Sequence, residues 1–156
     1  MNPTIRPATA HDLPQVLAMM QALARHHGDD ATIALATLHQ QIFELGLGRI
    51  LVAAEEEGLV GYALLLARPD LVTGSAGHDI NHLFVVEWRR RAGIGRALIA
   101  AAAAISRAEQ ADYLTISAQG TNTGAQDAYH GMGLEQVPVS FARFKVDLGE
   151  TAAPPA

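Results

Sequence analysis

Residues 83–96 constrain the fold more than any other stretch of the chain. Leu83-Phe84-Val85-Val86 is apolar at every position, so a strand there must be covered on both faces. The chain then turns through Glu87-Trp88-Arg89-Arg90-Arg91-Ala92-Gly93, which is basic and contains a glycine. From Ile94 the period becomes helical, with Ile94, Ala97, Leu98, Ala101 and Ile105 on one stripe. The many alanines of that helix let its axis approach a sheet closely. A doubly buried strand feeding an amphipathic helix belongs in an α/β or α+β fold built around one sheet.

The flanking segments supply the rest of the sheet. Thr4 to Pro7 reads as a first strand. Thr9, with Asp12 three residues on, has the reach of a capping box and opens a helix to about His27. A second helix is expected from Ala31 to Glu44, ended by Gly46 and Gly48. Ile50–Ala54 and the alternating Val60, Tyr62, Leu64, Leu66 read as strands around a solvated Glu55-Glu56-Glu57-Gly58 turn. Residues 69–77 read as loop, and His78–Val86 as the strand that ends in the apolar run. Tyr113–Ser117 is another strand and Asn122–Gly131 a short helix. Val137–Val139 and Ala142–Leu148 are expected to close the sheet. One domain is expected over residues 1–149, with 150–156 as a disordered tail.

Composition excludes several functions. Sixteen acidic against eleven basic residues give a net charge of −5, which argues against a nucleic-acid binder. The chain has no cysteine, which removes thiol nucleophiles, thiolate metal sites and disulfides, and fits a reducing, cytoplasmic setting. Met1–Ala10 lacks the features of a signal peptide, and the apolar run Ala97–Ile105 is about half of a membrane span. His26-His27 beside Asp29-Asp30 reads as a helix end interacting with carbonyls and solvent, so no metal site is expected.

The turn after Val86 suits a pyrophosphate. A helix start offers free N–H groups and a partial positive charge, glycines let phosphates approach the backbone, and arginines add charged donors. A Walker loop needs Gly-Lys-Ser/Thr, yet the one lysine is Lys145. A dinucleotide fingerprint needs a third Gly or Ala at position 98, which is Leu98.

Arg90-Arg91-Ala92-Gly93-Ile94-Gly95-Arg96 resembles the Gln/Arg-x-x-Gly-x-Gly/Ala turn of the GCN5-related N-acetyltransferases (GNAT). Leu83–Val86 looks like that family's fourth strand. Asn122-Thr-Gly-Ala125 through Tyr129 to Gly133-Leu134 is similar to its Asn-x-x-Ala-x-x-x-Tyr-x-x-x-Gly-Phe segment, and Ile5-Arg6-Pro7-Ala8 with Asp12 to its opening. The resemblance covers nearly the whole chain. It implies a mixed, mostly antiparallel sheet of six to seven strands with about four helices, splayed between the fourth and fifth strands. It also implies transfer of acetyl from acetyl-CoA to a primary amine, in a ternary complex and without a metal. The main chain of Leu83, Phe84 and Val85 would pair with pantetheine. The amides of Arg91, Ala92, Gly93, Ile94, Gly95 and Arg96 would hold the diphosphate, with Arg90 also in the cofactor site, and Asn122, Ala125 and Tyr129 would border the CoA arm. Arg89 is expected to face solvent or the adenosine 3′-phosphate.

Two catalytic residues follow. Expulsion of a thiolate, whose conjugate acid has a pKa of about 8.5, is helped by a proton donor, and the Tyr129 phenol is the candidate. An alkyl amine near pKa 10 must lose a proton before attack. Some relatives, the spermidine/spermine acetyltransferases among them, place a Glu on the fourth strand where this chain has Asn81. His82 beside it is the candidate base, with His78 and Asp79 acting through water as further candidates. The partner is a small-molecule or peptide amine, with no nucleic acid or membrane, and homodimers are common among relatives. A non-catalytic acyl-CoA-binding sensor or interaction module is the competing reading: Tyr129 favours the enzyme and Asn81 the module.

Overall fold

A computed structural model describes residues 2–118, 122–139 and 142–149. The chain divides into two units, Met1–Gln119 and Gly120–Ala156.

The first unit holds one five-stranded sheet in the order β1-β2-β3-β4-β5. The strands are β1 (Thr4–Pro7), β2 (Arg49–Glu55), β3 (Gly58–Ala67), β4 (Gly77–Val85) and β5 (Tyr113–Ile116). Neighbours from β1 to β4 are antiparallel, whereas β4 and β5 are parallel. A parallel pair needs a crossover, and α3 (Ile94–Ala108) supplies it. β2 and β3 form the expected hairpin around residues 56–57. Tyr62, Leu64 and Leu66 of β3 face α1 (Leu13–His26) and the region of α2 (Leu35–His39), while Gly61 faces α3. A Cβ on Gly61 would lie 2.8 Å from the Phe84 carbonyl oxygen and 3.4 Å from Leu98, so the missing side chain brings α3 down onto the sheet. Leu98, Ala102 and Ile94 are buried there; fully burying a Leu or Ile side chain contributes about 1.5–3 kcal/mol.

A single 3-10 turn, Ala10–Asp12, precedes α1. The Asp12 carboxylate accepts the Thr9 N–H at 2.7 Å and a two-pronged bond from Arg6 at 2.7 and 3.0 Å. The Arg6 guanidinium and the Thr9 donors hold its pKa far below the carboxylate range. The native state therefore gains from the ionised form at neutral pH and loses that gain as acid protonates it.

The second helix is shorter than its periodicity predicts. α2 spans Leu35–His39 and opens into a π-turn, Gln40–Glu44, in which the Leu45 N–H donates to the Gln40 carbonyl at 2.8 Å. Residues 31–34 are not helical.

The second unit contains α4 (Thr123–Gly131). The Asn122 side chain caps it by accepting the Ala125 N–H at 3.1 Å. Its C-terminus closes with Leu134 N–H on the Tyr129 carbonyl at 3.1 Å and Gly133 N–H on that of His130 at 2.9 Å, a Schellman pattern. Among the described residues the two closing strands are not present: 137–139 and 142–148 have no ladder partner there. Alternation gives such segments two faces, but a strand exists only through pairing with another. The sheet thus has five strands among the described residues rather than six to seven, within the same mixed class and with four helices. The tail expected at 150–156 lies outside the described residues.

Candidate functional site

The site begins where β4 loses a neighbour. β5 pairs with Gly77–Ile80 only. At the next residue the β3–β4 register also shifts: Leu64 faces His82 and Leu65 faces Ile80, which leaves Asn81 as the extra residue of a bulge. From Asn81 to Val85, β4 is therefore bonded to β3 alone, and its other edge has no strand partner among the described residues. Leu83, Phe84 and Val85 lie on that edge, Phe84 buried and the other two half-buried.

The edge runs through a 3-10 turn, Glu87–Arg89, into the start of α3. Gly93 has φ +80°, a left-handed conformation that favours glycine, and it turns the chain into the helix. The first intrahelical bond from this end is Ala97 N–H to the Gly93 carbonyl at 3.0 Å, so the amides of Ile94, Gly95 and Arg96 precede the ladder. Packing within the fold does not demand glycine at 95: a Cβ there would meet only Leu83 Cδ2, at an ordinary 3.9 Å. A Cβ on Gly93 would meet nothing within 4 Å, so the helix start is open at both glycines.

The arginines divide into two groups. Arg89 does not face solvent as expected: its Nε and NH2 groups donate to Glu55 at 3.0 and 2.5 Å, pinning the turn to the end of β2. Glu55 is correspondingly more than a solvated hairpin tip. Arg90 folds back, donating to the Val85 carbonyl at 3.1 Å and lying 5.9 Å from the Phe84 ring centre. Arg91, at φ +61°, and Arg96 are exposed, as is Ala92.

His82 is half-buried, and its Nδ1 lies 3.1 Å from the hydroxyl of Tyr62, a fully buried residue of β3. Burial foremost, and the nearby His27 charge, lower its pKa, so the imidazole is neutral at pH 7. Burial alone raises the Tyr62 phenol, which stays protonated. Two tautomers satisfy the pair. When Tyr62 donates to Nδ1, the ring proton sits on Nε2; when Nδ1–H donates to the phenol oxygen, the Nε2 lone pair is free. A base requires the second.

His78 and Asp79 are committed elsewhere. Ser106 donates to the Ala102 carbonyl at 2.9 Å, so its oxygen accepts from His78 Nδ1 at 2.8 Å. His78 Nε2 lies 3.3 Å from Glu109, itself paired with Arg49. The Ser106–His78–Glu109 row resembles a hydrolytic triad, but the serine proton points into its own helix and the residue is buried. Asp79 accepts from Thr115 at 2.7 Å, with Arg68 at 3.6 Å.

In the second unit Tyr129 is half-buried on α4, and burial raises its phenol pKa, which keeps its proton in place at neutral pH. Asn122 and Ala125 are joined by the helix cap. Among the described residues, no cluster of three or more His, Cys, Asp or Glu could hold a metal, and no helix is long and apolar enough to cross a membrane.

Sequence reasoning did not single out Tyr62 or Gln41. Tyr62 appears only as one alternating strand residue, and its pairing with His82 depends on a register across 20 positions.

Comparison with known proteins agrees with this fold. Residues 16–134 match the family described as Acetyltransferase (GNAT). An integron cassette protein from V. cholerae superposes with a TM-score of 0.77 at 22% identity, covering 93% of each chain. A transcriptional regulator from Bacillus halodurans C-125 gives 0.78 at 20% identity, covering 92% of this chain and 99% of that one. Ribosomal-protein-alanine N-acetyltransferase from Brucella melitensis biovar Abortus 2308 gives 0.76 at 19%, covering 92% and 100%. At these identities the likeness shows the fold. No curated protein matches the sequence.

Proposed function

The chain belongs to the acetyltransferase (GNAT) family, and from that premise we propose that it moves an acetyl group from acetyl-CoA to a primary amine of a small molecule or peptide, by direct attack in a ternary complex. The observation that carries this reading is the one-sided half of β4, Asn81–Val85, leading straight into the open start of α3. An extended amide-bearing arm suits the first and a diphosphate the second.

The main chain of Leu83–Val85 would bind the pantetheine arm, and the amides from Arg91 to Arg96 the diphosphate. Arg91 and Arg96, both exposed, would meet its charge. Arg90 would act through the β4 end that it braces. Asn122 and Ala125 are assigned to the CoA arm from the family motif. Acetyl-CoA supplies an activated thioester. The amine nitrogen bonds to the acetyl carbonyl carbon and the carbon–sulfur bond breaks. The amine's surplus proton passes to His82 Nε2, and the sulfur takes a proton from the Tyr129 hydroxyl. Tyr62 is a positioning residue: its hydroxyl holds the ring through Nδ1, and in the tautomer in which Nδ1–H donates to it the Nε2 lone pair is free. A homodimer rests on the resemblance alone, and a cytoplasmic setting on the cysteine-free composition.

The test is a melting experiment with a thiol-release assay. CoA at about 100 times its Kd should stabilise the protein by about 2.7 kcal/mol, NAD and ATP far less. Thiol release should depend on an added amine. Tyr129→Phe should lower turnover roughly 10²-fold with the CoA shift kept. No melting shift with saturating CoA would overturn the assignment. A shift without release from any amine would favour the non-catalytic module, the reading suggested by Asn81 at the bulge.

A further inference from the structure

A cavity of about 100 Å³ lies in the first unit, on the face of β3 that α1 and α2 cover. Its lining is almost wholly apolar and includes Met20, Leu38, Ile42 and Leu64. The two polar exceptions are Tyr62 and Gln41. Tyr62 reaches His82 with its hydroxyl. Leu64 sits directly across from His82 in the strand register, where paired side chains stand about 4.5–5.5 Å apart. One wall of the cavity thus adjoins the residue assigned as base.

The opposite wall is built by the π-turn. Gln41 and Ile42 both belong to it and both line the cavity. Such a turn inserts a residue into the helix at some cost and is frequent at functional sites. The half-buried Gln41 amide has no hydrogen-bond partner among the described residues. An apolar chamber next to a proton acceptor suits a molecule with an aliphatic body and an amine at one end.

We propose that the acceptor is a primary amine carrying a compact aliphatic substituent, which seats in this cavity while the nitrogen is presented to His82. The proposal rests on the transferase reading for the role of the amine. A cavity of about 150 Å³ holds benzene, so this one takes about four carbons. Polyamines and polyhydroxylated amines, which would bring charge or hydroxyls among Met20, Leu38 and Leu64, are disfavoured.

The experiment uses the full chain with linear amines from ethylamine to octylamine, 3-methylbutylamine, and spermidine. For the unmodified protein kcat/KM should rise roughly fourfold per methylene up to four or five carbons, then level or fall. Spermidine should be at least about tenfold poorer than 3-methylbutylamine, the loss expected from placing charge in an apolar site. Ile42→Phe should move the optimum to shorter chains and Met20→Ala to longer ones, both with the CoA melting shift retained. Turnover indifferent to chain length in all three proteins overturns the cavity assignment and leaves the transfer reaction standing. If no amine turns over, calorimetric titration with 3-methylbutylamine decides. Saturable binding that Ile42→Phe abolishes sustains the cavity while the transfer reading falls, and no binding overturns the cavity.

Discussion

Between Gly77 and Ile80, β4 is bonded on both sides, to β3 and to β5; between Asn81 and Val85 it is bonded on one among the described residues. Each half carries polar residues. In the first, His78 is held by Ser106 and Asp79 by Thr115, both on elements packed against the strand. In the second, the one hydrogen-bond partner of the His82 ring among the described residues is the Tyr62 hydroxyl, and Asn81 is exposed at a bulge. Neighbouring histidines on one strand thus differ in their partners because of where the fifth strand stops. Polar groups in the doubly paired half tie elements of the fold together, and the proposed function gives those in the singly paired half to the chemistry.

The sharpest way to break this contrast is to exchange the halves' fates by mutation. His82→Gln should lower turnover on the order of 10²-fold with little change in melting temperature. The same variant tests the pH profile. Because burial depresses the His82 pKa, the acidic limb of kcat should lie below the ordinary histidine value when His82 acts as the base. That limb should vanish in His82→Gln. An unchanged profile would move the base elsewhere.

The reverse should hold for the first half. Asp79→Ala strips Thr115 of its acceptor and should cost about 1–3 kcal/mol of stability, read from denaturant titration, with kcat preserved in the folded fraction. A large fall in kcat at unchanged stability would erase the distinction between the halves. Next in size is Gly95→Asp at the far end of the free edge. It should weaken CoA at least about tenfold, or 1.4 kcal/mol, while the fold survives, since the added Cβ finds only an ordinary contact. Smallest is Tyr62→Phe. Removing the acceptor of Nδ1–H disfavours the doubly protonated ring more than the neutral one, so the limb should move to lower pH by roughly half a unit to one unit.

What was legible in the sequence was local. The apolar run into the glycine turn, the α3 stripe, the Thr9–Asp12 approach to α1 and the short helix after Asn122 all depend on residues a few positions apart. What was not legible depends on distance or on a single added residue. Arg89 looked like a surface charge because Glu55 is 34 positions away. Leu35, Leu38 and Ile42 keep a helical rhythm, and an inserted π residue does not disturb it enough to be heard in the sequence. Phe144, Val146 and Leu148 alternate as a strand would, yet alternation names no partner. The bulge at Asn81 follows from the register of two strands, which neither strand states alone.

The parallel joining of β4 to β5 also has a consequence for the order of assembly. The β2–β3 hairpin closes across residues 56–57, whereas β5 can reach Ile80 only after the chain from 81 to 112 has been gathered in, α3 included. Closing a loop costs more entropy as it lengthens, and parallel pairing returns slightly less per residue than antiparallel pairing. Tyr113–Ile116 should therefore join late and open early. In native-state hydrogen exchange its amides should trade with solvent at a lower opening free energy than those of Leu51 or Ala63, so the edge beside the free half of β4 is the first part of the sheet to come undone.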